Sequence, residues 1–194
     1  MKKMIGLTGP TGAGKTLASH VAQNLGVQVI DCDQLARKAV LPETEGLAVL
    51  VEAFGKEILN EDGTLNRKEL AARAFCDAEH TDLLNRTLLP HIVPLVEAER
   101  TSEQVLLDAP TLFESGLQEE CDAVVAVLAD PALRRARIMA RDGITEAAAQ
   151  QRMNAGKSDS FYKERTNYLL YNNGDEEAFQ REAAALFEKL LGGN

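Results

Sequence analysis

Apolar and polar positions along the chain fall into alternating short runs and helical stripes. The first run, Met4-Ile5-Gly6-Leu7-Thr8, predicts a buried strand. A glycine-rich turn, Gly9–Gly14, follows it. Ala18, Val21, Ala22 and Leu25 then recur at i, i+3, i+4 and i+7, which is one face of a helix, and Gly26 suits its stop. Val27–Ile30 predicts a second strand ending at Asp31. Strand, helix and strand within about 30 residues form a βαβ unit, which requires a parallel sheet and a right-handed crossover.

Residues 34–100 change character. They are rich in helix formers and are interrupted by Pro42, Gly55, the turn Glu61-Asp62-Gly63, Pro90 and Pro94, which predicts a helical insert between the second and third strands. Val105–Asp108 and Val124–Leu128 are short β-branched runs that resume the sheet. Asp130-Pro131 opens a helix through an arginine-rich stretch, with proline tolerated at the first helical position. Tyr168–Tyr171 is the last predicted strand, closed by Asn172-Asn173-Gly174, and Ala178–Leu191 is an amphipathic final helix. Five parallel strands are therefore expected in an α/β fold.

Composition narrows the function classes. The chain has 194 residues, 45% hydrophobic and 26% charged, as expected of one globular domain. The longest apolar stretches, such as Val124–Leu128, fall far short of the ~18 residues that cross a bilayer. Cys32, Cys76 and Cys121 are widely spaced, and His20, His80 and His91 are equally scattered, so no structural zinc site is expected and the thiols are read as small core fillers. Reduced thiols without an export signal predict a cytoplasmic setting. A net charge of −9 argues against wholesale nucleic-acid binding. Residues 130–165 run against that balance: Arg134, Arg135, Arg137, Arg141, Arg152, Lys157, Lys163 and Arg165 outnumber Asp130, Asp142, Glu146, Asp159 and Glu164. Arginines at helical spacing are commonly just a solvated face.

Gly9-Pro10-Thr11-Gly12-Ala13-Gly14-Lys15-Thr16 fits G-x-x-x-x-G-K-[ST] at every fixed position, and it lies between a predicted strand and a predicted helix. Gly12 and Gly14 allow close backbone approach to phosphate oxygens. The turn's N–H groups and the helix N-terminus form an anion nest. Lys15 brings a mobile cation to the β- and γ-phosphates, and the Thr16 hydroxyl is placed to ligate Mg²⁺. The N-K-x-D and D-x-x-G runs of a guanine-specific GTPase are absent.

Two further features favour phosphoryl transfer. The basic stretch after the fourth strand can serve as a lid that spreads charge on the γ-phosphate and excludes water. Asp31-Cys32-Asp33 follows the second strand, at the sheet edge where α/β folds bind ligands. If the strand continues through them, both carboxylates point to one side, and one can accept a hydroxyl proton. The alternative is that Asp33 caps a helix Gln34–Ala39.

Several segments, in order, resemble the dephospho-CoA kinase family: Ile5-Gly6-Leu7-Thr8-Gly9, then Asp31-Cys32-Asp33-Gln34-Leu35-Ala36-Arg37, then Asp62-Gly63-Thr64-Leu65-Asn66-Arg67. Asp108-Ala109-Pro110-Thr111-Leu112-Phe113-Glu114, Arg141-Asp142-Gly143-Ile144-Thr145 and Asn172-Asn173-Gly174 complete the series. The chain departs from the family pattern at His91, Thr111, Gly156 and Thr166-Asn167. The resemblance implies a three-layer αβα P-loop fold with a five-stranded parallel sheet. The core would be 1–33, 101–129 and 166–194, the acceptor-binding helical insert 34–100 and the arginine-bearing lid 130–165. It implies MgATP-dependent phosphorylation of the ribose 3′-hydroxyl of dephospho-CoA, with no nucleic-acid or membrane partner. Asp33, Lys15 and Arg141 would be catalytic. ATP would meet Gly12, Ala13, Gly14, Lys15, Thr16, Leu17, Arg141 and Asn173. The acceptor would meet Asp33, Arg37, Pro110 and Glu114, and Mg²⁺ would lie at Thr16 and at Asp108, there directly or through water. Another small-molecule or nucleoside monophosphate kinase, or an ATP-sensing module without transfer, remains the alternative.

Overall fold

The computed structural model describes residues Lys2–Gly192. Five strands form one sheet: β1 (Lys3–Thr8), β2 (Gln28–Asp31), β3 (Gln104–Asp108), β4 (Ala123–Leu128) and β5 (Tyr168–Tyr171). Their order is β2-β3-β1-β4-β5, so β1 is central. It runs parallel to β3 with Leu7 opposite Asp108 and parallel to β4 with Thr8 opposite Ala126, while β5 runs parallel to β4 with Tyr171 opposite Leu128. The carboxyl ends of these strands therefore meet at one edge. The helices are α1 (Lys15–Asn24), α2 (Cys32–Lys38), α3 (Glu45–Phe54), α4 (Arg67–Ala74), α5 (Ala78–Glu99), α6 (Pro131–Asp142), α7 (Glu146–Asn154), α8 (Asp159–Arg165) and α9 (Glu176–Leu191).

The chain divides into two compact units. One holds the chain up to Ile30, Ser102–Pro110 and the chain from Glu120; the other holds Asp31–Thr101 and Thr111–Glu119. In the first, alternation along the strands turns Ile5, Leu7, Leu106, Val125, Val127 and Leu170 to one face. Ala18, Val21 and Ala22 of α1 and Phe179, Ala183 and Phe187 of α9 cover them. Each large side chain fully buried there is worth about 1.5–3 kcal/mol. Leu25, expected on the same helical face, is instead 38% exposed. α1 ends at Asn24, and the left-handed Gly26 (φ 81°) turns the chain immediately afterwards. The arginine-rich stretch is three helices rather than one. α6 and α7 share a small core of Ile138, Ala149 and Met153, and α8 packs against β4.

In the second unit, α3 and α4 pack on the long helix α5. Thr44, Asn66 and Asp77 cap these three helices by accepting from Leu47, Glu69 and His80 N–H. Pro90 and Pro94, expected to interrupt the insert, lie inside α5 instead. Both are exposed and four residues apart, so the carbonyls that lose an N–H partner face water on one side of the helix.

Candidate active site

β1 delivers the 9–16 turn to the shared sheet edge. Gly9, Gly12 and Gly14 have φ of 141°, 78° and 103°, a region that side-chain-bearing residues rarely adopt. Crowding adds a second requirement. A Cβ on Gly12 would lie 2.7 Å from the Arg134 carbonyl oxygen, and one on Gly14 would run into the Asn172 amide. Gly12→Ala is therefore expected to cost about 1–2 kcal/mol in backbone conformation alone and to displace the turn. A lowered unfolding midpoint together with an at least tenfold (~10×) loss of turnover checks it.

Three successive carbonyls of the turn, those of Thr11, Gly12 and Ala13, are held by side chains. Arg134 Nε donates to Thr11 O at 3.0 Å, Arg137 Nη1 donates to Gly12 O and Ala13 O at 3.4 Å each, and Asn172 Nδ2 donates to Ala13 O at 3.0 Å. Arg137 Nη2 also donates to Asn172 O and Oδ1, at 3.0 and 3.2 Å. α1 begins with no side-chain cap and no acidic residue in its first turn. Its N-terminal partial positive charge is thus left to an incoming anion.

An open cleft of about 400 Å³ lies here, lined by Gly9–Gly12, Gly14, Lys15, Thr16, Pro110, Arg137, Ile138 and Arg141. The structure thereby brings together Gly12, Gly14, Lys15, Thr16, Pro110 and Arg141 from the sequence prediction. Arg141 is held at the rim by its neighbour. Its Nε and Nη2 donate to Asp142 Oδ1 and Oδ2 at 2.7 and 3.0 Å, and Arg152 pairs with the same carboxylate. The hydrogen bond from Arg141, followed by the charges of both arginines, holds the Asp142 carboxyl below its ordinary pKa.

The other predicted residues are not among those that line the cleft. Ala13 is fully buried, and Leu17 packs on the sheet core. Asn173 closes on Asp130, accepting its N–H at 2.7 Å and donating to its carboxylate at 3.1 Å. Asp108 accepts from Ser19 Oγ at 2.6 Å. Asp33, Arg37 and Glu114 belong to the second unit. There the strand does not continue through Asp33. Asp31 ends β2 and caps α2, accepting from Gln34 N–H at 3.1 Å, so the capping role assigned to Asp33 falls to Asp31 and Asp33 lies in the first helical turn. Arg37 is exposed in the last turn of α2, and Glu114 is half-buried.

Arg134, Arg137, Asn172 and Ser19 were missed by the sequence reading. The signal for the arginines was present: Arg134, Arg137 and Arg141 repeat at i, i+3 and i+7, one face of α6.

The thiols also differ from expectation. Cys32 is buried, but Cys76 is exposed, beside Asp77 and His80. The capping of α5 accounts for that gathering, since His80 N–H and Nδ1 both bond Asp77. Burial pushes the Cys121 thiol up to about 12. A thiol alkylating agent at pH 8 is expected to label Cys76 first and Cys121 slowly, because only the thiolate reacts; peptide mass mapping over time checks the order.

The fold and the cleft define a kinase of the P-loop class. A solved structure of a Thermus thermophilus protein matches with a TM-score of 0.75 at 28% identity, over 97% of this chain and 98% of that one. The chain belongs to the dephospho-CoA kinase family, whose model matches residues 3–177. Dephospho-CoA kinases of Syntrophotalea carbinolica and Listeria innocua are each 36% identical over 98% of this chain, covering 93% and 98% of their own. A shikimate kinase from Bacteroides thetaiotaomicron, at 15% identity and a TM-score of 0.54 with both chains wholly covered, shares the fold alone. No helix among the described residues is long and apolar enough to cross a membrane.

Proposed function

We propose that this kinase transfers the γ-phosphoryl group of ATP to the ribose 3′-hydroxyl of dephospho-CoA, releasing ADP and CoA. The observation that carries the reading is the single cleft in which the glycine turn, Lys15, Thr16 and Arg141 converge. Backbone N–H groups of the turn grip the β- and γ-phosphates, and Lys15 follows the transferring group as its charge redistributes. Arg141 leaves Asp142 to meet the γ-phosphate as the lid settles, which also excludes water from the transfer. Asp33 takes the proton of the acceptor hydroxyl, or holds that hydroxyl in line. Asp31, not Asp33, is the residue that caps α2, which supports this role. Arg37, Glu114 and the helical insert hold the acceptor, with Pro110 at the cleft.

Magnesium fits the same site. Thr16 Oγ1 and the Asp108 carboxylate are hard oxygen donors of the kind Mg²⁺ takes. Ser19, one turn after Thr16 on the same side of α1, bonds Asp108, which supports the two as its holders. When bound, the ion neutralises charge on the β- and γ-oxygens. The three reduced cysteines support a cytoplasmic setting.

Coupled ADP release with and without dephospho-CoA tests the reading. ADP formation that depends on dephospho-CoA is the expected result. ADP formation only with another alcohol or nucleotide acceptor, or nucleotide binding without turnover, would overturn it.

A further inference from the structure

Arg134 lies in the lid stretch, yet it is only 5% exposed. Its guanidinium spans two distant parts of the chain, with Nε donating to Thr11 O at 3.0 Å and Nη1 pairing with Asp159 Oδ1 at 2.9 Å. Asp159 sits in the first turn of α8, a helix capped by Ser158, packed on β4 and carrying the buried Tyr162. The carboxylate is thereby a fixed post, held by the sheet rather than by a mobile loop. On the other side the fit is equally tight, since the space a Gly12 Cβ would need is filled by the backbone of Arg134.

A buried ion pair is weak evidence of added stability, because desolvation offsets most of the attraction. What this pair does supply is direction. The Thr11 carbonyl and the Gly12 N–H share one planar trans peptide and point opposite ways. Holding Thr11 O on Arg134 therefore aims the Gly12 N–H away from α6. The Ala13 carbonyl, held by Asn172 and Arg137, does the same for the Gly14 N–H. Neither amide has a partner within the chain among the described residues.

We infer that Arg134 and Asp159 are positioning residues for the nucleotide: their ion pair clamps the Thr11 carbonyl to the post at α8 and so pre-aims the Gly12 amide for phosphate. Neither side chain touches the reacting atoms. Both act through the peptide between Thr11 and Gly12, which reaches phosphate already oriented instead of ordering on contact. The inference rests on reading the 9–16 turn as the ATP site.

The test uses the full chain with Arg134→Lys, Asp159→Asn, Asp159→Glu and Lys15→Ala. Lysine keeps the charge but has no planar fork to serve the carbonyl and the carboxylate together. Asparagine keeps an acceptor at a partly exposed position but loses the charge, so this variant still folds if the buried arginine tolerates no change. Arg134→Lys and Asp159→Asn are each expected to raise the KM for ATP by about tenfold, with the KM for dephospho-CoA changed less than about twofold. The rise in unfolding midpoint that MgATP produces shrinks in parallel. Asp159→Glu, which retains the carboxylate, recovers most of the ATP affinity. If Arg134→Lys and Asp159→Asn lower the midpoint of the free protein but leave the KM for ATP unchanged, while Lys15→Ala abolishes productive ATP use, the pair is structural only and the inference is overturned. If Lys15→Ala is also without effect, the fault lies with the ATP-site reading itself.

Discussion

Lys15→Ala is expected to leave the protein folded and to cut dephospho-CoA-dependent ADP release by roughly 10²–10³-fold, with a higher KM for ATP. Lys15 lines the cleft and makes no ion pair among the described residues, so the substitution breaks no salt bridge. In the proposed reaction its charge serves the phosphate. In a cleft where the neighbouring donors are fixed N–H dipoles, Lys15 can follow the γ-phosphoryl group from donor to acceptor. An unchanged unfolding midpoint with a collapsed rate constant is the expected signature. A normal acceptor-dependent rate would remove the 9–16 turn from the mechanism.

The parts of this design that depend on local pattern were legible in the residues. Apolar runs marked all five strands, Tyr168–Tyr171 to the residue, and the spacing of Gly9, Gly12, Gly14, Lys15 and Thr16 marked the turn that lines the cleft. The parts that depend on tertiary partners were not. Pro90 and Pro94 look like breaks, but their exposure on one side of α5 lets water satisfy the orphaned carbonyls. Of the adjacent asparagines, the family resemblance puts Asn173 at the nucleotide, while the structure buries Asn172 against the turn, at Ala13 O, and closes Asn173 on Asp130. Nothing in the dipeptide distinguishes them, because that choice is made by which side chain points inward as β5 ends. Arg134 is the sharpest case. An arginine stripe on an acidic chain is ordinarily solvated, and only Thr11 O and Asp159, remote in sequence, make its burial possible.

Asp33→Asn isolates the chemical step from nucleotide binding. Asparagine has nearly the same shape, and the lost charge in the first turn of α2 is worth only about 0.3–1 kcal/mol toward the helix dipole, so the fold should persist. The KM for ATP should stay within about twofold while turnover falls by ~10² or more, since the group proposed to accept the hydroxyl proton is gone. Asp31→Ala supplies the contrast. Its loss uncaps α2, at about 1 kcal/mol of stability, and should lower the unfolding midpoint without a comparable loss of turnover. The two carboxylates, two residues apart, thus predict opposite responses: stability without catalysis for one, catalysis without stability for the other. Turnover of Asp33→Asn equal to the parent's, or a loss confined to Asp31→Ala, would move the base elsewhere in the chain. Retained ATP hydrolysis without acceptor in Asp33→Asn, alongside lost transfer, would tie Asp33 to the alcohol rather than to the nucleotide.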